Sequence, residues 1–211
     1  MYARSTTVRG KPQAMDEGIA YVRDKLMPAV RQMDGCIGLS MLADRDSGRC
    51  IITTSWADAD AMRASADGVM PMRQRATEIM GGPAEVREWE IAVMHRMHNA
   101  HHGACARVIW TDGDPADADD ANADRMIDTF RMGVLPQLED LPGCCSVSVM
   151  LDRSSGRAVV TTTYDSPQDM TQAAEKAKQI RRDFTQQMNR TITDVAEFEL
   201  VVAHLRVPQT V

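Results

Sequence analysis

The chain has 211 residues, 44% hydrophobic and 26% charged, with a formal net charge of −6. Those proportions belong to an ordinary globular protein. The acidic balance argues against a nucleic-acid partner, and no apolar run is long enough to cross a bilayer.

Residues 2–9 (YARSTTVR) read as a first strand, ended by Gly10, Lys11 and Pro12. Asp16 then caps a helix whose Ile19, Val22, Leu26, Val30 and Met33 form one apolar stripe. Pro28 predicts a kink or an early end to that helix, and Gly35 stops it. Two strands follow, joined by a turn at Asp44 to Gly48. A helix capped by Asp58 is expected to break near Gly68 and Pro71, and Val86 to Met94 closes the set as a fourth strand.

The order then repeats. Residues 35–56 (GCIGLSMLADRDSGRCIITTSW) return at an offset of 108 as residues 143–164 (GCCSVSVMLDRSSGRAVVTTTY). Gly35, Cys36, Ser40, Asp44, Arg45, Ser47, Gly48, Arg49, Thr53 and Thr54 are identical in the copy, while Trp56 becomes Tyr164. A strand from Ala104 to Trp110 precedes the copy, with a helix carrying Ile127, Phe130, Val134, Leu138 and Leu141; Pro136 matches Pro28. After it come Ser166-Pro167, a longer and less interrupted helix through Met170, Ile180 and Met188, and a strand at Val195 to Val202. VREWEIAV and VAEFELVV match at an offset of 109.

Each half is thus β-α-β-β-α-β, a ferredoxin-like order. The hairpins carry few charges on either face, so the two sheets are expected to pack on each other as an intramolecular pseudo-dimer. The expected domains are residues 1–97, a His-rich linker at 98–103, and residues 104–211. The N-terminus has no apolar signal core. The five cysteines are odd in number, lie in or beside apolar runs and form no C-x-x-C pair. A cytoplasmic protein with buried, reduced thiols is expected.

The G-C-x-x-x-S segment, the D-x-x-S/D-G turn, I/V-T-T-x-W/Y and the late V-x-E-W/F-E strand resemble the antibiotic-biosynthesis-monooxygenase-like family of the dimeric α+β barrel superfamily. The resemblance spans nearly all of both halves. It implies a fused barrel that binds a small hydrophobic or aromatic ligand, with no nucleic-acid or membrane partner. The implied activity is cofactor-independent monooxygenation of a phenolic, quinol or polyketide-like substrate. The alternative is a non-catalytic, stress-associated barrel that binds a hydrophobic metabolite or haem. Haem-degrading members use a tryptophan where Trp56 stands, an asparagine on the first strand and a histidine on the following helix. This chain has Arg4, Ser5 and Arg107 on its first strands and no histidine in residues 57–80 or 165–188.

The candidate catalytic residues are Trp56, Tyr164, Arg73 and Arg181. The two aromatics read either as packing or as platforms for a flat ligand. The two arginines, related by the same offset, read either as solvated helix edges or as partners for a substrate anion. No cofactor-binding or metal-ligating residue is assigned. HRMHNAHH holds His95, His98, His101 and His102, an exposed linker with imidazoles able to take a metal opportunistically. His204 repeats His95 at a strand end. The acidic run from Asp112 to Asp124 lacks the glycine and glutamate placement of a calcium loop and reads as a solvated loop leading into a helix. Sixteen methionines against three Phe, three Tyr and three Trp suggest a soft, adaptable core.

Overall fold

The computed structural model describes residues 1–114 and 118–210; the middle of the acidic loop, residues 115–117, lies outside the described residues. Strand β1 (Tyr2–Arg9) leads through a short 3-10 turn into α1 (Met15–Tyr21), a π-helical turn (Val22–Leu26) and α2 (Met27–Val30). The wide turn lies directly before Pro28. A proline ring collides with the carbonyl four residues back and donates no hydrogen bond. The five-residue spacing of a π turn absorbs that misfit, so the helix continues past Pro28 to Val30. The second repeat solves Pro136 in the same way, with α5 (Asp120–Thr129), a π turn (Phe130–Val134) and α6 (Leu135–Glu139). Asp119 caps α5, accepting from the Asn122 amide at 2.7 Å.

Strands β2 (Cys36–Asp44) and β3 (Arg49–Trp56) form the expected hairpin, with Met41 opposite Ile52, and β1 pairs along the other edge of β3 with Arg4 opposite Thr54. Gly35 opens the hairpin at φ +74, where a Cβ would come within 2.4 Å of the Ala61 Cβ. Its copy Gly143 has φ +61, and a Cβ there would meet Asp169 at 2.5 Å. Only glycine fits both positions.

The next helix breaks at a place other than the expected one. Helix α3 (Ala59–Ala64) and α4 (Ala66–Met80) divide at Ser65, and Gly68 and Pro71 lie inside α4. Pro71 falls near the exposed start of α4, where water can solvate the carbonyl left without a partner. The second repeat is interrupted too: α7 (Pro167–Gln172) and α8 (Ala174–Gln187) divide at Ala173, with φ −74 and ψ −13 against −74 and −11 at Ser65. The break therefore belongs to the repeat, independent of glycine or proline.

Strands β4 (Ala84–Arg96), β5 (Cys105–Asp112), β6 (Cys144–Asp152), β7 (Arg157–Tyr164) and β8 (Thr191–Leu205) complete the set. The eight strands follow the order β1-β3-β2-β8-β5-β7-β6-β4 as a closed antiparallel barrel, built from two ferredoxin-like repeats. The long strands β4 and β8 change neighbours along their length. Beyond Glu90, β4 pairs with β6, and the far end of β8 pairs with β2. Compactness divides the chain accordingly, into residues 1–89 with 198–207, and residues 90–197 with 208–211.

The arginine of each repeated turn reaches this exchanged strand. Arg45 bonds Glu199 at 3.0 Å and also pairs with Asp16, while Arg153 bonds Glu90 at 2.6 and 3.2 Å and Asp124 at 2.9 Å. Glu90 chiefly, with Asp124, holds the Arg153 pKa above its ordinary value. In the first unit the helices cover the sheet through Val22, Leu26, Met41, Trp56 and Met80; in the second through Phe130, Leu138, Leu151, Ile180 and Phe184. Four of the five cysteines are buried, Cys36 is half-buried, and all are free thiols. No helix among the described residues is long and apolar enough to cross a membrane.

Candidate functional site

Each repeat places one buried arginine on its first strand. Arg4 is 5% exposed; its Nε and Nη2 donate to Glu88 Oε1 at 2.9 and 2.8 Å, and Nη2 also reaches the Met62 carbonyl at 2.8 Å. Nη1 donates to Ser65 Oγ at 3.1 Å. A desolvated guanidinium requires such partners. Here they tie β1 to β4 and to the junction of α3 and α4. The second unit repeats the arrangement with Arg107, Glu197 (3.0 and 2.6 Å) and the Met170 carbonyl (3.4 Å). Ala173 replaces Ser65, and Arg107 Nη1 is buried without a hydrogen-bond partner among the described residues. These ion pairs were not among the sequence candidates. The available signal was a charged residue in each first strand and the first of the two glutamates common to VREWE and VAEFE, Glu88 and Glu197.

Arg73 stands on α4 beside this pair. A cavity of about 20 Å³ lies between sheet and helices of the first unit, with Arg4 and Thr6 of β1, Thr54 of β3, and Arg73, Ala76 and Thr77 of α4 in its wall. It holds about one water molecule. The Arg73 side chain makes no hydrogen bond or ion pair among the described residues. Burial, and then the positive charge of Arg4, hold its pKa below the ordinary arginine value, with Glu88 opposing. The cavity thus joins an unsatisfied guanidinium to three threonine side chains.

Trp56 is fully buried, one layer behind that wall. Its Nε1 donates to Thr54 Oγ1 at 3.1 Å, and the Thr54 hydroxyl in turn donates to the Arg4 carbonyl at 3.4 Å. Tyr164 is 1% exposed, with the Arg107 guanidinium 5.9 Å from its ring centroid. Burial pushes the Tyr164 hydroxyl up to about 12, against the opposing charge of Arg107. Arg181 on α8 is half-buried; burial and then Arg107 lower its pKa, with Tyr164 opposing. The structure therefore groups Arg73 with Arg4 in one unit, with Trp56 behind them, and Arg181 with Arg107 and Tyr164 in the other.

The two groups differ in the side chains beside them. Phe184 occupies the position of Ala76 in the repeat, and Phe130 that of Val22. Both are buried and meet edge to face at 5.6 Å. Aromatic bulk in the second unit thus stands where the first has an alanine at its cavity wall.

The histidines separate into distinct settings. His95 Nε2 contacts Glu139 at 2.8 Å, and its Nδ1 is buried without a partner among the described residues. Partial burial, then the charges of Arg31 and Arg206, lower the pKa of His204. His98 Nε2 lies 2.9 and 3.0 Å from the Asp165 carboxylate oxygens, and the His98 and His101 rings stack at 5.8 Å.

Comparison with known proteins agrees with this architecture. Residues 1–68 match the family model for antibiotic biosynthesis monooxygenase. Two uncharacterised proteins of Mycobacterium tuberculosis, Rv2557 and Rv2558, are 46% and 45% identical to the chain. Each comparison covers the whole of this chain, and 92% and 88% of the respective relative. A crystal structure from Fusobacterium nucleatum superposes with a TM-score of 0.70 at 14% identity, covering 97% of this chain and 94% of the other. An anthrone oxidase-like protein superposes at 0.63 with 12% identity, covering 97% and 93%. At those identities the two structures report on the fold.

Proposed function

The chain belongs to the antibiotic biosynthesis monooxygenase-like family, as two fused repeats, and on that premise we propose that it is a cofactor-independent oxygenase of a phenolic or quinol-type substrate. The observation that carries this reading is Arg73. A half-buried guanidinium without a side-chain partner, next to a second arginine and three threonines, gives the first unit a local excess of positive charge. A phenolate or enolate satisfies it by a charge-assisted hydrogen bond.

The chemistry then needs little else from the protein. The keto tautomer of the substrate loses a proton from its ring CH₂ to water, and the resulting phenolate is held by Arg73. Its electron pair forms a C–O bond to dioxygen. The peroxide takes up a proton, the O–O bond breaks, and the second C–H proton leaves as the C=O bond forms. Overall a CH₂ group and O₂ give C=O and H₂O, with the substrate as the only reductant. Trp56 serves as a positioning residue through Thr54. A ligand of this class needs a pocket of about 300 Å³ or more, so α4 must move outward to admit it. The single-residue junction at Ser65 supplies the hinge.

Phe184, standing where the first unit has Ala76 at its cavity wall, supports one site per chain. It also favours, for that second unit, the alternative of a non-catalytic barrel. Residues 57–80 and 165–188 supply no histidine, which counts against haem degradation of the kind that uses a histidine on that helix. Oxygen-electrode assays over a panel of hydroquinones and anthrone-type phenols test the proposal. The expected result is substrate-dependent uptake, lost in Arg73→Gln. Absence of uptake with every substrate, in protein shown to be folded, contradicts it.

A further inference from the structure

We propose that His98, His101 and Asp165 form a binding site for a borderline divalent transition-metal ion such as Zn²⁺, separate from the Arg73 site. Their candidate ligand atoms all lie within 4.8 Å of one another. His98 Nε2 is 2.9 Å and His101 Nε2 is 4.0 Å from Asp165 Oδ1. Tetrahedral zinc with bonds of about 2.0–2.1 Å spaces its ligands about 3.3 Å apart. Shifts of less than about 1 Å therefore convert the present contacts into coordination.

The backbone under all three residues is already held. The Met97 and His98 amides donate to the Cys145 carbonyl at 2.9 and 3.4 Å, and Ala104 N closes a turn onto His101 O at 3.1 Å. Asp165 N is bonded to Gly143 O at 2.8 Å. Two imidazoles with one carboxylate match the preferences of Zn²⁺, Co²⁺, Ni²⁺ and Cu²⁺; Ca²⁺ and Mg²⁺ require a set of oxygens. The side chains are 41%, 72% and 30% exposed for His98, His101 and Asp165, so an ion can enter and water can complete its coordination. Asp165 directly precedes Ser166, the N-cap of α7, whose hydroxyl accepts from the Asp169 amide. The bound ion would therefore clamp the linker segment to the start of α7 within the second unit. His102, adjacent in sequence, is outside the cluster.

The test uses tag-free full-length protein. Zn²⁺ is titrated in competition with a chromophoric chelator, Co²⁺ is followed by its visible ligand-field bands, and melting is recorded with and without Zn²⁺. One equivalent of Zn²⁺ should bind and raise the melting temperature. His98→Ala and Asp165→Asn should each weaken binding by at least about tenfold, whereas His102→Ala should leave it unchanged. Far-UV circular dichroism of the metal-free variants confirms that they fold. The proposal is overturned by absence of saturable binding. It is equally overturned by binding that survives both His98→Ala and Asp165→Asn, or that is lost in His102→Ala. None of these outcomes depends on oxygenase activity, so the metal site and the Arg73 site stand or fall separately.

Discussion

Arg4 donates from Nη1 to the Ser65 hydroxyl at 3.1 Å, whereas in the second repeat Ala173 supplies no hydroxyl and Arg107 Nη1 is buried without a partner among the described residues. The repeat thus contains its own control for one buried hydrogen bond. Leaving a buried donor unsatisfied costs about 1–3 kcal/mol, and more when the group is charged. Ser65→Ala should destabilise the protein by that amount, and Ala173→Ser should stabilise it by about 1 kcal/mol. Urea unfolding of the two variants checks both signs; equal effects in the same direction would show that the hydroxyl does not serve the guanidinium.

The Ala76–Phe184 difference predicts opposite consequences in the two units. Phe184→Ala should cost about 3–5 kcal/mol, because it removes a buried ring and its edge-to-face partner. Ala76→Phe should cost about 1–3 kcal/mol by overpacking while abolishing ligand binding in the first unit. Calorimetric titration of the folded Ala76→Phe variant with an active phenol measures the second effect. Unchanged affinity would place the ligand elsewhere.

Alkaline behaviour follows from the buried thiols and Tyr164. Burial raises Cys50 and Cys144 to about 12, and Cys105 and Cys145 to about 11. Each group is an acid whose folded pKa lies above its unfolded one. Between about pH 9 and 12 the unfolded chain therefore binds fewer protons than the folded chain. Stability is fully present below about pH 8.5 and falls as pH rises through that window. At pH 8 the half-buried Cys36 should react with a thiol reagent well before the other four, and all five should react in denaturant. Rapid modification of all five in the folded protein would contradict the burial.

Much of the fold is legible because the repeated residues have local reasons to recur. Gly35 and Gly143 need positive φ, and Asp44 and Asp152 each hold the serine three residues on by a 2.5 Å hydrogen bond. The helix junctions at Ser65 and Ala173 escaped the sequence reading because neither residue is a strong helix breaker, while Pro28, Pro136 and Pro71, which are, were accommodated. Arg45 and Arg153 read as turn residues; their partners Glu199 and Glu90 become visible only once β2 is beside β8 and β6 beside β4. Likewise Arg73 was a candidate from the repeat alone. The pair that polarises its surroundings, Arg4 and Glu88, is 84 residues apart in sequence and depends on the sheet. Phe184 is one apolar residue among several on α8, and its importance appears only against Ala76 and the cavity beside it.

Trp56 offers a further check on how the wall is held. Trp56→Phe keeps the buried ring but removes the donor to Thr54 Oγ1. The expected cost is about 0.5–1.5 kcal/mol in stability, with oxygenase activity reduced through misplacement of Thr54. Trp56→Ala should cost about 3–5 kcal/mol. Steady-state rates for Trp56→Phe that equal the wild type would remove Trp56 from the site and leave it a core residue.

The most direct measurement compares kcat/KM for oxygen uptake in Arg73→Gln and Arg181→Gln, two substitutions at equivalent positions of the repeat. If the first unit alone carries the site, Arg73→Gln loses at least about tenfold and Arg181→Gln stays within about twofold of the wild type. Equal losses in the two variants, or no loss in Arg73→Gln, would contradict that account.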